Sequence, residues 1–342
     1  RQQVVAKLKT AVSVRWWDKS TGAWMIPANN KCKAELDQLT YYVRHFEPVN
    51  WGGNESKTDE DIAYQIPDMP ELDEDHGLKI QPYPYQLQGI ARGLQLKRFI
   101  NGDDMGLGKT LESIATINKA NAFPCLVICP NTVKINWQRE WHKFTDKKAM
   151  VLTDSVRTSW PFFWQTGMNH VFIVNYESLR KYFVRRINKS EKWTLKDVEF
   201  HNTIKLFKSV IIDESHKVKS TATQQSKFCK GITAGKEWII LLTGTPVVNK
   251  PNDLICQLAI MDRMNDLGGW KYFTNRYCSG PHGASNLKEL NFMLWKHCFF
   301  RREKSKVLTQ LPDKVRQIVT CEITNRKEYQ DAERDLVDYL RR

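Results

Sequence analysis

No apolar stretch in this chain runs beyond about five residues, Trp238 to Leu242 being typical. A membrane-spanning helix needs roughly 20, so no membrane partner is expected. No basic leader followed by an apolar segment opens the chain, which leaves a secretory route unsupported. None of the eight cysteines stands in a C-x-x-C pair and no H-x-x-x-H occurs, so a zinc site is not expected. Cys125 and Cys129 lie inside an apolar run and read as buried thiols of a reducing compartment. A hydrophobic content of 41% with 26% charged residues excludes wholesale disorder and fibres. The first residue is Arg rather than Met, so the chain is expected to be a piece of a longer protein.

Negative charge is also scarce. Lys and Arg number 52 against 38 Asp and Glu, a net of +14. Nine of the acids fall between Glu55 and His76 beside a single lysine, Lys57, so the remainder of the chain carries +22. Such a field favours a polyanion, nucleic acid or an anionic surface. Excess lysine serving solubility alone would give the same balance.

What is present divides into three parts. Residues 1–48 read as a small α+β module. Alternation over Val12 to Trp16, a turn at Asp18 to Gly22 and a returning strand Ala23 to Ile26 predict a hairpin. Asn30 can cap a helix that presents Cys32, Leu36, Leu39, Tyr42 and Val43 on one face. Residues 49–77, acidic and turn-rich, read as a linker. From 78 to 342 helical patterns alternate with solidly apolar strands at Cys125–Cys129, Val171–Val174, Ser209–Ile212 and Trp238–Leu242. Strands apolar on both faces belong in a buried parallel sheet, and their alternation with helices makes the fold α/β. Polar residues follow each strand: Pro130-Asn131-Thr132, Asn175-Tyr176-Glu177, Asp213-Glu214-Ser215-His216 and Thr243-Gly244-Thr245-Pro246. Open α/β sheets bind ligands at that edge.

The segment Gly102-Asp103-Asp104-Met105-Gly106-Leu107-Gly108-Lys109-Thr110 follows a short strand, Arg98 to Asn101, and opens a helix at Leu111 to Asn118. A P-loop would place glycine where Asp103 stands. The chemistry survives: Gly106 and Gly108 let backbone N–H groups wrap a phosphate, Lys109 can reach the outer phosphate oxygens, and Thr110 can hold Mg²⁺. Asp213-Glu214 ends a later strand. An Asp there can anchor Mg²⁺ through water, and the Glu can orient and deprotonate an attacking water. The predicted ligands are ATP and Mg²⁺.

These motifs, with Leu242-Thr-Gly-Thr-Pro246, resemble the Swi/Snf-type branch of the superfamily-two helicase-like ATPases. That branch commonly carries Asp in place of the first P-loop glycine. The resemblance covers about 78 to 319, and the segment Phe300-Arg301-Arg302-x-Lys304 through Lys314 is similar to the end of the family's first motor lobe. It implies a RecA-like sheet with helices on both faces. It also implies an adenine-reading role for Gln86, after Tyr85, and an element at His216, Thr243, Gly244 and Thr245 that links ATP state to DNA grip. Within the family the chain looks most like the annealing-helicase subgroup. Arg15-Trp16-Trp17-Asp18, Trp24 and Pro27 are similar to its HARP-type substrate-recognition module, as are Tyr277-Cys278 and Gly283 to Leu287, although the spacing between those two is short. Trp16 and Trp24 can stack on single-stranded bases, or simply form the core of a small module.

DNA contacts are expected at Pro130, Asn131 and Thr132, where a helix begins, and at Lys134, Tyr176 and Arg180; solvated helix positions explain the two cations equally. The run Arg301-Arg302-Glu303-Lys304 reads as a solvated face. No Q-x-x-G-R-x-x-R appears, and only 96 residues follow Pro246. The second motor lobe, with its arginine fingers, is therefore expected elsewhere in a longer protein, and this chain by itself should bind nucleotide but hydrolyse it poorly. The reading is thus a DNA-dependent ATPase, acting inside the cell wherever DNA is, on duplex, fork or single-strand junction. The alternatives are a nucleotide-gated nucleic-acid-binding module and an RNA helicase. A GTPase fails because Asn252 replaces the aspartate its base-reading motif requires.

Overall fold

The computed structural model describes residues 16–18, 23–25, 64–72, 76–189, 191–245, 251–278, 283–308 and 325–341, with backbone only for 16–18, 23–25 and 336–341. Two strands, β1 (Trp16–Asp18) and β2 (Ala23–Met25), pair antiparallel with Trp17 opposite Trp24. The expected helix after Asn30 lies outside the described residues, as do the side chains of Trp16 and Trp24. Within the stretch expected to be a linker, the Tyr64 ring lies 5.6 Å from that of Phe292, and Met69 packs against the core.

The main body begins with α1 (Pro84–Leu96) and alternates from there. It continues β3 (Arg98–Asn101), α2 (Lys109–Lys119), β4 (Cys125–Cys129), α3 (Lys134–Phe144), β5 (Ala149–Val151), α4 (Trp160–Gln165) and β6 (Val171–Asn175). Next come α5 (Leu179–Phe183), a hairpin of β7 (Val184–Ile187) and β8 (Val198–Phe200), then β9 (Ser209–Asp213), α6 (Gln224–Thr233) and β10 (Trp238–Leu242). The helices α7 (Asn252–Met261), α8 (Gly269–Tyr277) and α9 (Leu287–His297) lead to β11 (Phe299–Phe300) and a short turn, α10 (Lys304–Val307). Residues 305–342 form a separate unit whose main described element is α11 (Arg326–Arg341).

Seven strands form one parallel sheet in the order β11-β3-β10-β9-β4-β6-β5. The chain moves from β3 to β4 to β5 in one direction, then returns through β6, β9, β10 and β11. Right-handed crossovers place the helices of the two legs on opposite faces. Helix contacts agree: α1 meets α2 and α2 meets α3, while α5 meets α6 and α6 meets α7. Every residue of β4, β6 and β10 is buried, as a covered parallel sheet requires. Burial pushes the Cys125 and Cys129 thiols up to about 12, so they are inert core groups.

The sequence pattern missed β5, β11 and the β7–β8 hairpin. At three and two residues, β5 and β11 are too short to carry a periodic signal. Both are sheet edges, recruited by their neighbours rather than by their own composition. Among the described residues no helix is long and apolar enough to cross a membrane.

Candidate nucleotide and nucleic-acid site

The registers of the sheet put the motif residues beside one another. Leu242 lies opposite both Asn101 of β3 and Asp213 of β9, so the loops that leave these three strands share one edge. The Thr243 N–H donates to the Asn101 carbonyl at 3.2 Å, carrying the alignment one residue past the strand end.

The loop after β3 turns through Gly106 and Gly108, both at φ +88°, a region costly for any residue with a Cβ. Gly108 is the N-cap of α2, whose first-turn N–H groups have no intrahelical partner and face the loop. A Cβ at Gly108 would stand 2.3 Å from Nε2 of Gln86. That amide donates to the Leu107 carbonyl at 3.1 Å and its oxygen accepts from the Tyr83 N–H at 3.0 Å. Gln86 is thus buried as a clamp on the loop. An adenine contact would have to draw on its remaining amide proton or the second lone pair of its oxygen.

Lys109 donates to the carbonyls of Asp103 at 2.7 Å and Asp104 at 3.2 Å. Burial lowers its pKa, while Asp103, Glu214, Asp213 and Glu112 act against that. Across from it, Asp213 accepts from the Glu214 N–H at 2.9 Å, and Glu214 sits at φ +51°. Burial holds the Asp213 carboxyl above its ordinary range; the Trp137 N–H opposes this and the Glu214 charge adds to it. The His216 Nδ1 lies 3.2 Å from Glu214 Oε2 and 3.3 Å from Thr243 Oγ1, and Thr243 Oγ1 accepts from the Thr245 N–H at 3.1 Å. One imidazole therefore spans the loops after β9 and β10. Ser215 anchors the same turn by donating to Gln257 of α7 at 2.8 Å. Pro246 lies outside the described residues.

The chain that carries this arrangement matches the SNF2-related domain family over residues 20–337. The chain belongs to that family. Over 263 residues the SNF2-related domain is 30% identical to the Caenorhabditis elegans homolog of SWI/SNF-related matrix-associated actin-dependent regulator of chromatin subfamily A-like protein 1, covering 69% of this chain and 33% of that protein. It is 29% identical over 260 residues to the human DNA annealing helicase and endonuclease ZRANB3, covering 72% and 23%. The chain therefore spans a third or less of these relatives. Among solved structures, the Sulfolobus solfataricus SWI2/SNF2 ATPase core in complex with dsDNA superposes with a TM-score of 0.55 at 27% identity, covering 76% of this chain and 53% of that one. The sheet is thus the RecA-like one the motifs implied.

Two residues of the SNF2-related domain do something other than the sequence suggested. Asp103 is fully buried and faces Arg302, whose Nε donates to both carboxylate oxygens at 3.1 Å and whose backbone N–H donates at 2.7 Å. Arg302 also binds Glu112 at 2.6 Å and donates to the Tyr85 carbonyl, so it is no solvated side chain but the cation of a buried triad. Burial would lower its pKa, yet Glu112 and Asp103 more than offset that and raise it. The loop is further stitched to this segment by Gly102 N–H to the Phe300 carbonyl at 2.8 Å, and by Asp104 accepting from Arg301 at 3.1 Å and from the Lys304 N–H at 3.0 Å. The Asp103 carboxylate is therefore spent on fixing the loop to the Arg302 segment. The one sequence clue was an acid where glycine belongs, which demands a cation without saying which.

Tyr176 is the second. It is 1% exposed, and its hydroxyl donates to the Asp213 carbonyl at 2.5 Å. A ring buried to that degree offers DNA no side-chain surface; its hydroxyl braces the backbone of Asp213 instead. Pro130, Asn131 and Thr132 do sit at the same edge, but a 3-10 turn, Asn131–Val133, precedes α3. Asn131 and Thr132 are exposed, and Lys134 donates to Asn175 at 3.3 Å, tying the loops after β4 and β6 together. Met105, at 78% exposed, is the open tip of the phosphate loop.

Proposed function

We propose that this SNF2-related domain is the nucleotide-hydrolysing lobe of a DNA-dependent ATPase that translocates on DNA and remodels forks or reanneals strands. The observation that carries the reading is the convergence of Lys109, Asp213-Glu214 and His216-Thr243 at the ends of three registered parallel strands. The likeness to an ATPase core solved with dsDNA, and to relatives named for DNA annealing, supports DNA as the partner.

In this reading a nucleotide phosphate competes with the Asp103 and Asp104 carbonyls for Lys109 and lies against the first-turn N–H groups of α2. Thr110 and Asp213 would hold Mg²⁺, which neutralises phosphate charge. One hydroxyl and one carboxylate suit that ion, which keeps water and phosphate in its other positions. No cluster of three or more acidic, His or Cys side chains competes for it among the described residues. Glu214 orients and deprotonates the attacking water. His216 reports its position to Thr243-Gly244-Thr245. Residues 1–48 serve as the substrate-recognition module with Trp16 and Trp24, and 49–77 join it to the motor lobe. A second lobe supplies the arginine that stabilises the transition state. The protein then acts wherever DNA is.

The test is ATP hydrolysis by the complete gene product with duplex, forked, single-stranded or no DNA, in wild type and Glu214→Gln. DNA-stimulated turnover that disappears in the variant while ATP still binds is the expected result. Absence of hydrolysis on every DNA would leave a nucleotide-gated binding protein.

A further inference from the structure

We infer that Lys304 is a second phosphate-binding lysine of the nucleotide site, brought to the tip of the phosphate loop by the segment that leaves β11. The inference rests on the nucleotide-hydrolysing reading above. It adds a residue that the sequence pattern placed on a solvated face.

Register brings Lys304 there. β11 pairs parallel with β3, with Phe300 opposite Asn101. The pairing continues past the strand ends. The Gly102 N–H donates to the Phe300 carbonyl at 2.8 Å, and the Asp104 N–H to the Arg302 carbonyl at 3.1 Å. In return the Arg302 N–H donates to Asp103 Oδ1 at 2.7 Å and the Lys304 N–H to Asp104 Oδ2 at 3.0 Å. The two segments therefore leave the sheet side by side, and the same offset sets Lys304 level with Met105, next to Gly106. Its side chain follows: a Cβ at Gly106 would stand 3.5 Å from Lys304 Nζ, an ordinary contact distance.

The surrounding charges leave this ammonium uncommitted. Arg302 answers Asp103 and Glu112, and Arg301 takes Oδ1 of Asp104 at 3.1 Å while the Lys304 N–H takes Oδ2. Among the described residues the Lys304 ammonium forms no ion pair, and the residue is exposed. A fixed backbone with a free charge suits a ligand rather than a structural bridge. In the sheet β3 lies between β11 and β10. Lys109 sits toward the β10 side, its Nζ 3.9 Å from where a Cβ at Gly244 would stand, and Lys304 arrives from β11. The loop thus carries an ammonium on either flank, and paired cations with Mg²⁺ are a common clamp on phosphoryl oxygens. Lys304 is also the last residue of the main body, so a bound polyphosphate pins the point at which the chain runs on into residues 305–342.

The experiment is displacement of a fluorescent nucleotide from the 342-residue chain by ATP and by inorganic tripolyphosphate, both with Mg²⁺. Wild type is compared with Lys304→Ala, Lys304→Arg, Lys109→Ala and Lys205→Ala. Lys205 is an exposed lysine ahead of β9, at the amino edge of the sheet. Lys304→Ala should weaken both ligands by about 10-fold, the loss of one hydrogen bond to a charged group. Lys304→Arg keeps the charge and should stay within about threefold of wild type, and Lys205→Ala within about twofold. Without nucleotide, Lys304→Ala should melt at the wild-type temperature, because it removes an exposed side chain. Unchanged ATP affinity in Lys304→Ala, while Lys109→Ala loses it, would overturn the role of Lys304 alone. So would a loss for ATP without one for tripolyphosphate, an equal loss in Lys205→Ala, or a lowered melting temperature in Lys304→Ala. A wild-type chain that binds neither ATP nor tripolyphosphate would overturn it together with the nucleotide reading.

Discussion

The indole N–H of Trp137 donates to Oδ2 of Asp213 at 2.9 Å, joining the helix that follows the β4 loop to the carboxylate that ends β9. Trp137 is 2% exposed and lies one helical turn from the Asn131-Thr132 surface. Tyr176 grips the carbonyl of the same aspartate from the loop after β6. The two loops expected to meet DNA are therefore each one side chain from the group expected to hold Mg²⁺. A shift of either loop on DNA changes how Asp213 is held.

Trp137→Phe keeps a buried ring and removes the donor. A hydrogen bond to a charged group is worth about 1.5–3 kcal/mol. The variant should lose roughly 10-fold in DNA-stimulated turnover and require more Mg²⁺, with Mg²⁺-free nucleotide binding unchanged. Steady-state kinetics over a Mg²⁺ series reads this. A purely structural role would lower the melting temperature and leave the Mg²⁺ requirement where it was.

Asp103→Gly would restore the general P-loop pattern and yet should damage the protein. Among the described residues it leaves Arg302 with Glu112 as its one acidic partner. Arg302→Ala should be worse, leaving two buried carboxylates without their cation at a cost of about 3–5 kcal/mol. Denaturant unfolding measures both, and Arg302→Lys should not recover the wild-type value because an ammonium cannot make the forked contact. A fully stable Asp103→Gly protein would remove the triad from any part in holding the loop.

Asp213 sets a pH dependence. Burial raises its folded pKa above the ordinary value of about 3.9. The folded state then holds the proton more tightly than the unfolded state, so stability declines as pH rises from the ordinary value to the folded one and stays lower above it. Without nucleotide, Asp213→Asn should be more stable than wild type at neutral pH, and the gap should close on acidification through that window. Thermal unfolding of the two proteins from about pH 4 to 8 follows it. A gap that does not move with pH would mean that ionisation is not its source.

Gly108→Ala combines a left-handed backbone, costing about 1–2 kcal/mol, with a Cβ 2.3 Å from the Gln86 amide. Nucleotide affinity should fall by about 10-fold or more. If displacement of Gln86 is the cause, Gly108→Ala/Gln86→Ala should bind no worse than Gly108→Ala alone. Strictly additive losses in a fluorescent-nucleotide titration would count against the clamp.

Much of this was written locally. The strands β4, β6 and β10 are continuous apolar runs because both their faces are covered, and the phosphate loop shows its glycines because its φ angles demand them. Lys109, Asp213 and Glu214 are legible since each follows or precedes such an element directly. Arg302 was not: it meets Asp103 across 199 residues, and a buried arginine looks in sequence like any surface one. Tyr176 and Trp137 were misread or missed for the same reason, since a polar atom on an aromatic ring does not say whether it faces solvent or a carboxylate. Periodicity and turn chemistry are properties of neighbours in the chain, and they determined the parallel α/β sheet and the chemistry at its edge. Which side chains hold that chemistry in place depends on contacts made only after the sheet order β11-β3-β10-β9-β4-β6-β5 has assembled, and the tertiary structure alone decided those.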